Sequence, residues 1–176
     1  IIKNIRTRIE KGGLIVRNYN TCNFVRGYER KITVEVTLPY LRYLENNGVA
    51  PAVIDAGFRQ DTIVVRAESS GDIYIDGEYN QVRTSAHGNG DMYIRGRCNS
   101  FYIYTYGTNH VHAGNLRVRH FTFVHSQSLG DCTVNADSLK ILSCNIESHG
   151  NVYYTGDPER IIDYSKEGNP GRLIRK

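Results

Sequence analysis

Apolar and polar positions in this chain follow two superposed periods. Within short runs they alternate, and the runs themselves return about every twenty residues across residues 69–156. The recurring phrase reads Gly71-Asp72-Ile73-Tyr74-Ile75, Gly90-Asp91-Met92-Tyr93-Ile94, Asn109-His110-Val111-His112-Ala113, Gly130-Asp131-Cys132-Thr133-Val134 and Gly150-Asn151-Val152-Tyr153-Tyr154. With Asp72, Asp91, His110, Asp131 and Asn151 as equivalent markers, the spacings are 19, 19, 21 and 20. A fixed period of this size marks a solenoid, whose single repeat cannot bury its own apolar face and must stack on its neighbours.

The columns test that register. One residue after the marker stand Ile73, Met92, Val111, Cys132 and Val152, and nine before it Ile63, Val82, Phe101, Thr122 and Leu142. Seven before it come Val65, Thr84, Ile103, Val124 and Cys144. These columns are apolar or small, and polar or aromatic residues alternate between them, as a half-buried strand requires. Each coil is therefore expected to hold two strands. The pattern predicts an all-β fold, a short parallel β-helix of about five to six coils spaced ~4.8 Å apart.

Residues 1–38 fall outside the repeat. Gly12-Gly13 sets a turn, and Ile32, Val34, Val36 and Leu38 alternate with Thr33, Glu35 and Thr37 as in a strand with one wet face. We expect 1–38 to form strands that cap the solenoid as an irregular β cap, 39–156 to form the coils, and 157–176 to fold over the last coil, one domain in all. Pro39 closes the alternating strand, since proline cannot donate to a ladder. The 21-residue interval between His110 and Asp131 predicts a bulge or a widened corner within residues 117–128.

Composition narrows the picture. Four Pro, 17 Gly, 13 Tyr and no Trp suit many short strands joined by tight turns. No run of about 18 apolar residues occurs, so no membrane span is expected. The chain opens at Ile1 rather than Met, from which we expect processing or a leader ahead of it. A formal charge of +4, with basic residues gathered only at 3–11 and 172–176, gives no dense basic stripe and argues against a nucleic-acid partner. Cys22, Cys98, Cys132 and Cys144 show neither C-x-x-C pairing nor zinc spacing. Cys132 and Cys144 lie in inward columns and read as buried thiols; a disulfide among the four stays open.

The order of these features resembles a known family. The run Ile32-Thr33-Val34-Glu35-Val36-Thr37-Leu38-Pro39, the Gly-Asp-Ile-Tyr phrases and the closing Gly150-Asn151-Val152-Tyr153-Tyr154-Thr155-Gly156-Asp157-Pro158 are similar to the family named "putative auto-transporter adhesin, head GIN domain". The resemblance spans roughly residues 10–170 and departs where Asn109-His110 replaces Gly-Asp. It implies a bacterial, extracytoplasmic β-helical domain, secreted, periplasmic or on the cell surface, with an adhesin-like role and no established activity.

Candidate chemistry is sparse. Asp72, Asp91, Asp131 and Asn151 could be read as a row of catalytic or calcium-binding groups, but Asp and Asn after Gly more simply hold corners by side-chain to backbone hydrogen bonds. His110 and His112 share a face, yet a metal would need third and fourth ligands that the sequence does not place, so no metal and no cofactor is expected. No Gly-x-Ser-x-Gly elbow and no recognisable catalytic cysteine is present, so no catalytic residue is assigned. The outward aromatics carry more. Tyr74 and Tyr93 share one outer column, which reads first as sheet-stabilising and second as a further part of a candidate binding face. Tyr102, Tyr104, Phe123 and His125 cluster on another strand and read as an interface for a glycan, a protein, a second copy of the chain or its own irregular N-terminal strands. The reading is a non-enzymatic binding domain. Its alternatives are a carbohydrate-active enzyme of polysaccharide lyase or hydrolase type, and a self-assembling structural element of the surface.

Overall fold

The structure, a computed structural model, describes residues 2–20 and 32–176. Its contacts divide the chain into two units, Ile1–Leu38 and Pro39–Lys176. The first holds a 3-10 turn at Ile2–Asn4 and a hairpin of β1 (Ile5–Glu10) with β2 (Gly13–Asn18). Glu10 pairs with Gly13, so the loop is two residues, Lys11 and Gly12, both at positive φ (49° and 78°). That is the geometry whose twist matches the two strands it joins. Residues 32–38 form no strand, against the sequence expectation. Alternation says which side chains would share a face but supplies no ladder partner, and Ile32, Val34, Val36 and Leu38 remain 38–45% exposed.

In the second unit, β3 (Tyr43–Asn46) leads into four long strands: β4 (Ala52–Ala67), β5 (Ile73–Ala86), β6 (Met92–Gly107) and β7 (Val111–Ser128). Then come β8 (Cys132–Asn135), β9 (Ile141–Ile146), β10 (Val152–Thr155), β11 (Arg160–Asp163) and β12 (Leu173–Arg175). Every pairing in this sheet is parallel. The chain winds about seven turns, since seven strands stack in the order β4, β5, β6, β7, β8, β10, β12. The tail beyond residue 156 continues the winding, with β11 in register on β9 and β12 on β10. No helix among the described residues is long and apolar enough to cross a membrane.

Each long strand is a whole coil that bends as it goes. Residues 73–75 build what we call face 1 and residues 82–86 build face 3, as the alternation predicts. Between them runs a short segment that the two-strand expectation omits, and here it is called face 2. Its register runs through Phe58, Gly77, Gly96 and Leu116, and through Gln60, Tyr79, Cys98 and Val118. The bend is sharp because Gly96 sits at φ +105°, with the carbonyl oxygen of Gly77 only 2.0 Å from where a Cβ would stand. A side chain is excluded there on both counts.

The core is the enclosed column of inward residues. Ile63, Ile73, Ile75, Met92, Ile94, Phe101, Ile103, Leu116, Leu139, Leu142 and Ile146 are all fully buried. The 21-residue coil fits by two one-residue bulges in β7, because the offset to β6 grows between Tyr93 and Arg95 and again between Cys98 and Ser100. The first lies ahead of the expected interval and the second within it.

Candidate functional site

The marker column is a hydrogen-bond ladder along one corner. The backbone amide of Asp91 donates to Asp72 Oδ1 (2.9 Å), that of His110 to Asp91 Oδ1 (2.8 Å), and that of Asp131 to His110 Nδ1 (2.9 Å). The amide of Asn151 donates to Asp131 Oδ1 (2.8 Å), and that of Arg172 to Asn151 Oδ1 (3.0 Å). Carboxylate, imidazole and amide substitute for one another here because each supplies one acceptor at the right height. For His110 that requires Nδ1 without a proton, hence the Nε2–H tautomer. Asn109, which stands where the other coils have Gly, is fully buried and turns its Nδ2 to the carbonyls of Ala86 (3.2 Å), Gly88 (3.0 Å) and Tyr106.

Face 1 carries a ring stack directly beside this ladder. Tyr74 and Tyr93 lie 4.8 Å apart and 8° from parallel, and Tyr93 and His112 lie 4.6 Å apart at 16°. The Tyr74 hydroxyl reaches Asp72 Oδ2 at 3.4 Å, and His112 Nε2 lies 3.6 Å from Asp91 Oδ2. Burial, then the carboxylates of Asp91 and Asp72, raise the Tyr93 phenol above its ordinary value, which keeps it protonated. In the next coil Thr133 ends the stack; beyond it Lys176 Nζ sits 4.0 Å over the ring of Tyr153.

Face 3 gathers a second group of rings. Tyr102 stands in ladder register with Phe123, and Tyr104 with His125. Its ring contacts include Tyr102 to Phe121 (5.6 Å, 57°), Tyr104 to Phe123 (5.9 Å, 63°), Tyr104 to His125 (6.1 Å, 58°) and Phe123 to His125 (6.4 Å, 65°). The Arg83 guanidinium lies 5.1 Å over Tyr102, and His87 meets Tyr106 edge-on at 4.9 Å. Tyr104 and Tyr106 are each 37% exposed, while Tyr102, Phe121, Phe123 and His125 are half-buried. His125 Nε2 is 3.3 Å from Glu147 Oε1, and Glu147 also accepts from Gln127 (2.6 Å) and Asn145 (2.7 Å). The bonds from Gln127 and then Asn145, with His125 beside them, hold the Glu147 carboxyl below its usual range.

The six residues singled out in the sequence thus fall into two groups. Tyr102, Tyr104, Phe123 and His125 come together on face 3; Tyr74 and Tyr93 stack on face 1, and no ring contact among the described residues joins the groups. Phe121, Tyr106, His87 and Arg83 were missed. Phe121 comes opposite Ser100 only through the second bulge. The other three could have been found by carrying the twenty-residue columns across the polar positions as well as the apolar ones.

The remaining chemistry is quiet. Cys98, Cys132 and Cys144 are free and buried, and burial pushes each thiol up to about 12, so none is poised as a nucleophile. Cys22 lies outside the described residues. Among the described residues no group of three or more His, Cys, Asp or Glu side chains is placed to hold a metal ion. His110 Nδ1 is committed to the Asp131 amide.

Comparison with known proteins agrees with this architecture. A crystal structure of a putative adhesin from Bacteroides fragilis is similar over 100% of this chain and 78% of that one, with a TM-score of 0.78 and 21% sequence identity. At that identity the likeness is one of fold. No curated protein matches the chain. A family model described as "Putative auto-transporter adhesin, head GIN domain" matches residues 1–158, nearly the whole length. The chain belongs to that head GIN domain family.

Proposed function

We propose that this chain is a non-enzymatic, extracytoplasmic binding domain of adhesin type whose face 3 contacts a glycan or a protein. The observation that carries the reading is the half-open cluster of Tyr102, Tyr104, Phe121, Phe123 and His125 on a parallel sheet with a fully buried floor. Large rings held by a stiff backbone offer contact area at low entropic cost. Family membership supports the adhesin-like role and, with it, a location outside the cytoplasm.

The carbohydrate-active enzyme is the weaker reading. Glycoside cleavage places two carboxyl groups on either side of the scissile bond. Asp72, Asp91 and Asp131 instead form one row along a corner, each with an oxygen occupied by a backbone amide.

A glycan array read with the unmodified protein and with a Tyr102→Ala, Tyr104→Ala, Phe123→Ala variant tests the proposal, after circular dichroism shows that the variant keeps its fold. Specific binding that disappears in the variant supports a glycan site on face 3. Binding that survives in the variant removes face 3 from the site. If neither protein binds, the glycan arm of the proposal falls, and pull-downs with the same pair test the protein arm.

A further inference from the structure

Face 2, which the two-strand expectation omits, holds an arginine-lined groove of about 710 Å³ that neither the ring stacks nor the corner ladder uses. That volume lies within the usual range of small-ligand sites. Its outward column runs in ladder register through Arg59, Glu78, Arg97 and Arg117, one residue per coil. Down the column the charge alternates and then fails to. Glu78 Oε1 lies 3.7 Å from Arg59 and 3.5 Å from Arg97, so one carboxylate serves both arginines. Arg117 follows Arg97 directly with no acid between them, and like charges on neighbouring strands repel. Two residues on, Arg119 points to the same exposed side.

Among the described residues neither Arg117 nor Arg119 has a carboxylate within ion-pair distance. Asp137 borders the groove but directs Oδ1 toward Gly156, and its amide is held by Asn135 Oδ1 at 2.8 Å. The floor is formed by the ring of Tyr79 and the thiol of Cys98, 6% and 5% exposed, with Val118 beside them. The buried Tyr79 hydroxyl has no hydrogen-bond partner. Asn99, Asn135 and Ser138 stand at the edges as neutral hydrogen-bonding groups.

We propose that this groove binds an acidic saccharide of uronate type, with the guanidinium groups of Arg117 and Arg119 holding its carboxylates. Two unpaired guanidinium forks on one coil match a planar or tetrahedral oxyanion. The ligand anion supplies the negative charge that the column lacks next to Arg117. The amide and hydroxyl side chains at the rim suit ring hydroxyls, which an acidic peptide does not offer. The site is on a different face from the aromatic cluster and does not depend on it.

Titration calorimetry with an oligogalacturonate tests this, with maltohexaose as the uncharged control and a hexaglutamate peptide as the non-sugar anion. The unmodified protein is expected to bind the oligogalacturonate, more weakly as salt is raised, and to bind neither control comparably. Arg117→Gln with Arg119→Gln is expected to weaken binding about tenfold or more. Arg117→Lys with Arg119→Lys should recover part of it, as charge without the fork would. Both positions are exposed, and an unchanged melting curve verifies the fold of each variant. The Tyr102→Ala, Tyr104→Ala, Phe123→Ala variant should bind the oligogalacturonate as the unmodified protein does. No binding of the oligogalacturonate, equal binding by the glutamine variant, or equal binding of hexaglutamate would each overturn the proposal. Loss in the aromatic variant with retention in the glutamine variant would place acidic sugars on face 3 instead.

Discussion

Faces 1 and 3 are cut from the same coils and both carry aromatic side chains, yet they use them differently. On face 1 the rings of Tyr74, Tyr93 and His112 lie flat on one another at 4.8 and 4.6 Å. That is the rise of the coils themselves, ~4.8 Å, so Tyr93 spends both of its faces on ring neighbours. On face 3 the rings of Tyr102, Tyr104, Phe121, Phe123 and His125 stand 5.6–6.4 Å apart and tilt by 57–65°. There the second bulge sets Phe121 opposite Ser100, whose small side chain leaves the ring room to lean on Tyr102. A column in strict register meets face to face; a column disturbed by an inserted residue meets at a tilt. On that difference rests our proposal of a stabilising role for face 1 and a recognition role for face 3.

The largest expected effect removes what both faces share, the close stacking of coils. A Cβ at Gly130 would stand 2.1 Å from the Asn109 carbonyl oxygen, which is backbone and cannot swing away. Gly130→Ala is expected to cost about 4 kcal/mol or more, read as a fall in the urea midpoint or as failure to fold. Little or no change would mean that the coils tolerate a local separation and that the faces do not depend on matched spacing.

Next comes the comparison itself. Tyr93 has stacked partners on both sides, and such pairs contribute roughly 0.5–1.5 kcal/mol each beyond the area they bury. Tyr93→Ala should therefore destabilise by about 1–3 kcal/mol while leaving ligand binding intact. Tyr104→Ala should do the reverse, losing binding at smaller cost in stability. Equal destabilisation by the two, with neither touching binding, would erase the functional distinction between the faces.

Most of face 1 and the inward half of face 3 were legible in the sequence because a parallel coil puts like residues in every column. Ile73, Met92, Val111, Cys132 and Val152 were read as inward, and each is fully buried. The corner role of Asp72, Asp91 and Asp131 was legible for the same reason, since Asn and His in the column share with Asp only the ability to accept a hydrogen bond. Face 2 was not legible. Its inward positions are Gly77, Gly96, Tyr79 and Cys98, a mixture without a hydrophobic signature, and β7 carries an extra residue by the time it reaches Val118. Charge alternation from Arg59 through Glu78 to Arg97 was the remaining signal. The strand expected over residues 32–38 fails for the opposite reason, because alternation there is clean but pairing is a property of the partner. Phe121 was hidden because the 21-residue interval announced a bulge within residues 117–128 but not its place between Val118 and Phe121.

A smaller effect separates the corner ladder from the ring stack. His110→Ala leaves the Asp131 amide without its acceptor and should cost about 1–2 kcal/mol. His110→Asp restores the acceptor found in the two preceding coils and should recover most of that loss. Equivalent melting temperatures for the alanine and aspartate variants would show that the ladder bond contributes nothing at this corner.

The smallest effect is a shallow acid sensitivity on face 3. In the fold Gln127, Asn145 and His125 hold the Glu147 carboxyl below its ordinary value, which is about 4.3 in an unfolded chain. A proton therefore binds Glu147 more weakly when the chain is folded. The resulting stabilisation is fully present above the unfolded value and is lost as pH falls through the folded one. Asp163 acts with the same sign: burial alone would raise it, but the hydroxyl and amide of Ser165 outweigh burial and lower it. Melting temperature should thus decline gently as pH drops from about 5 toward 3, and Glu147→Gln should flatten part of that decline. Because the group is at the surface, added salt should flatten it further. A Glu147→Gln protein whose acid profile overlays the unmodified one would remove this carboxylate from the account and leave His125 on face 3 without an electrostatic anchor.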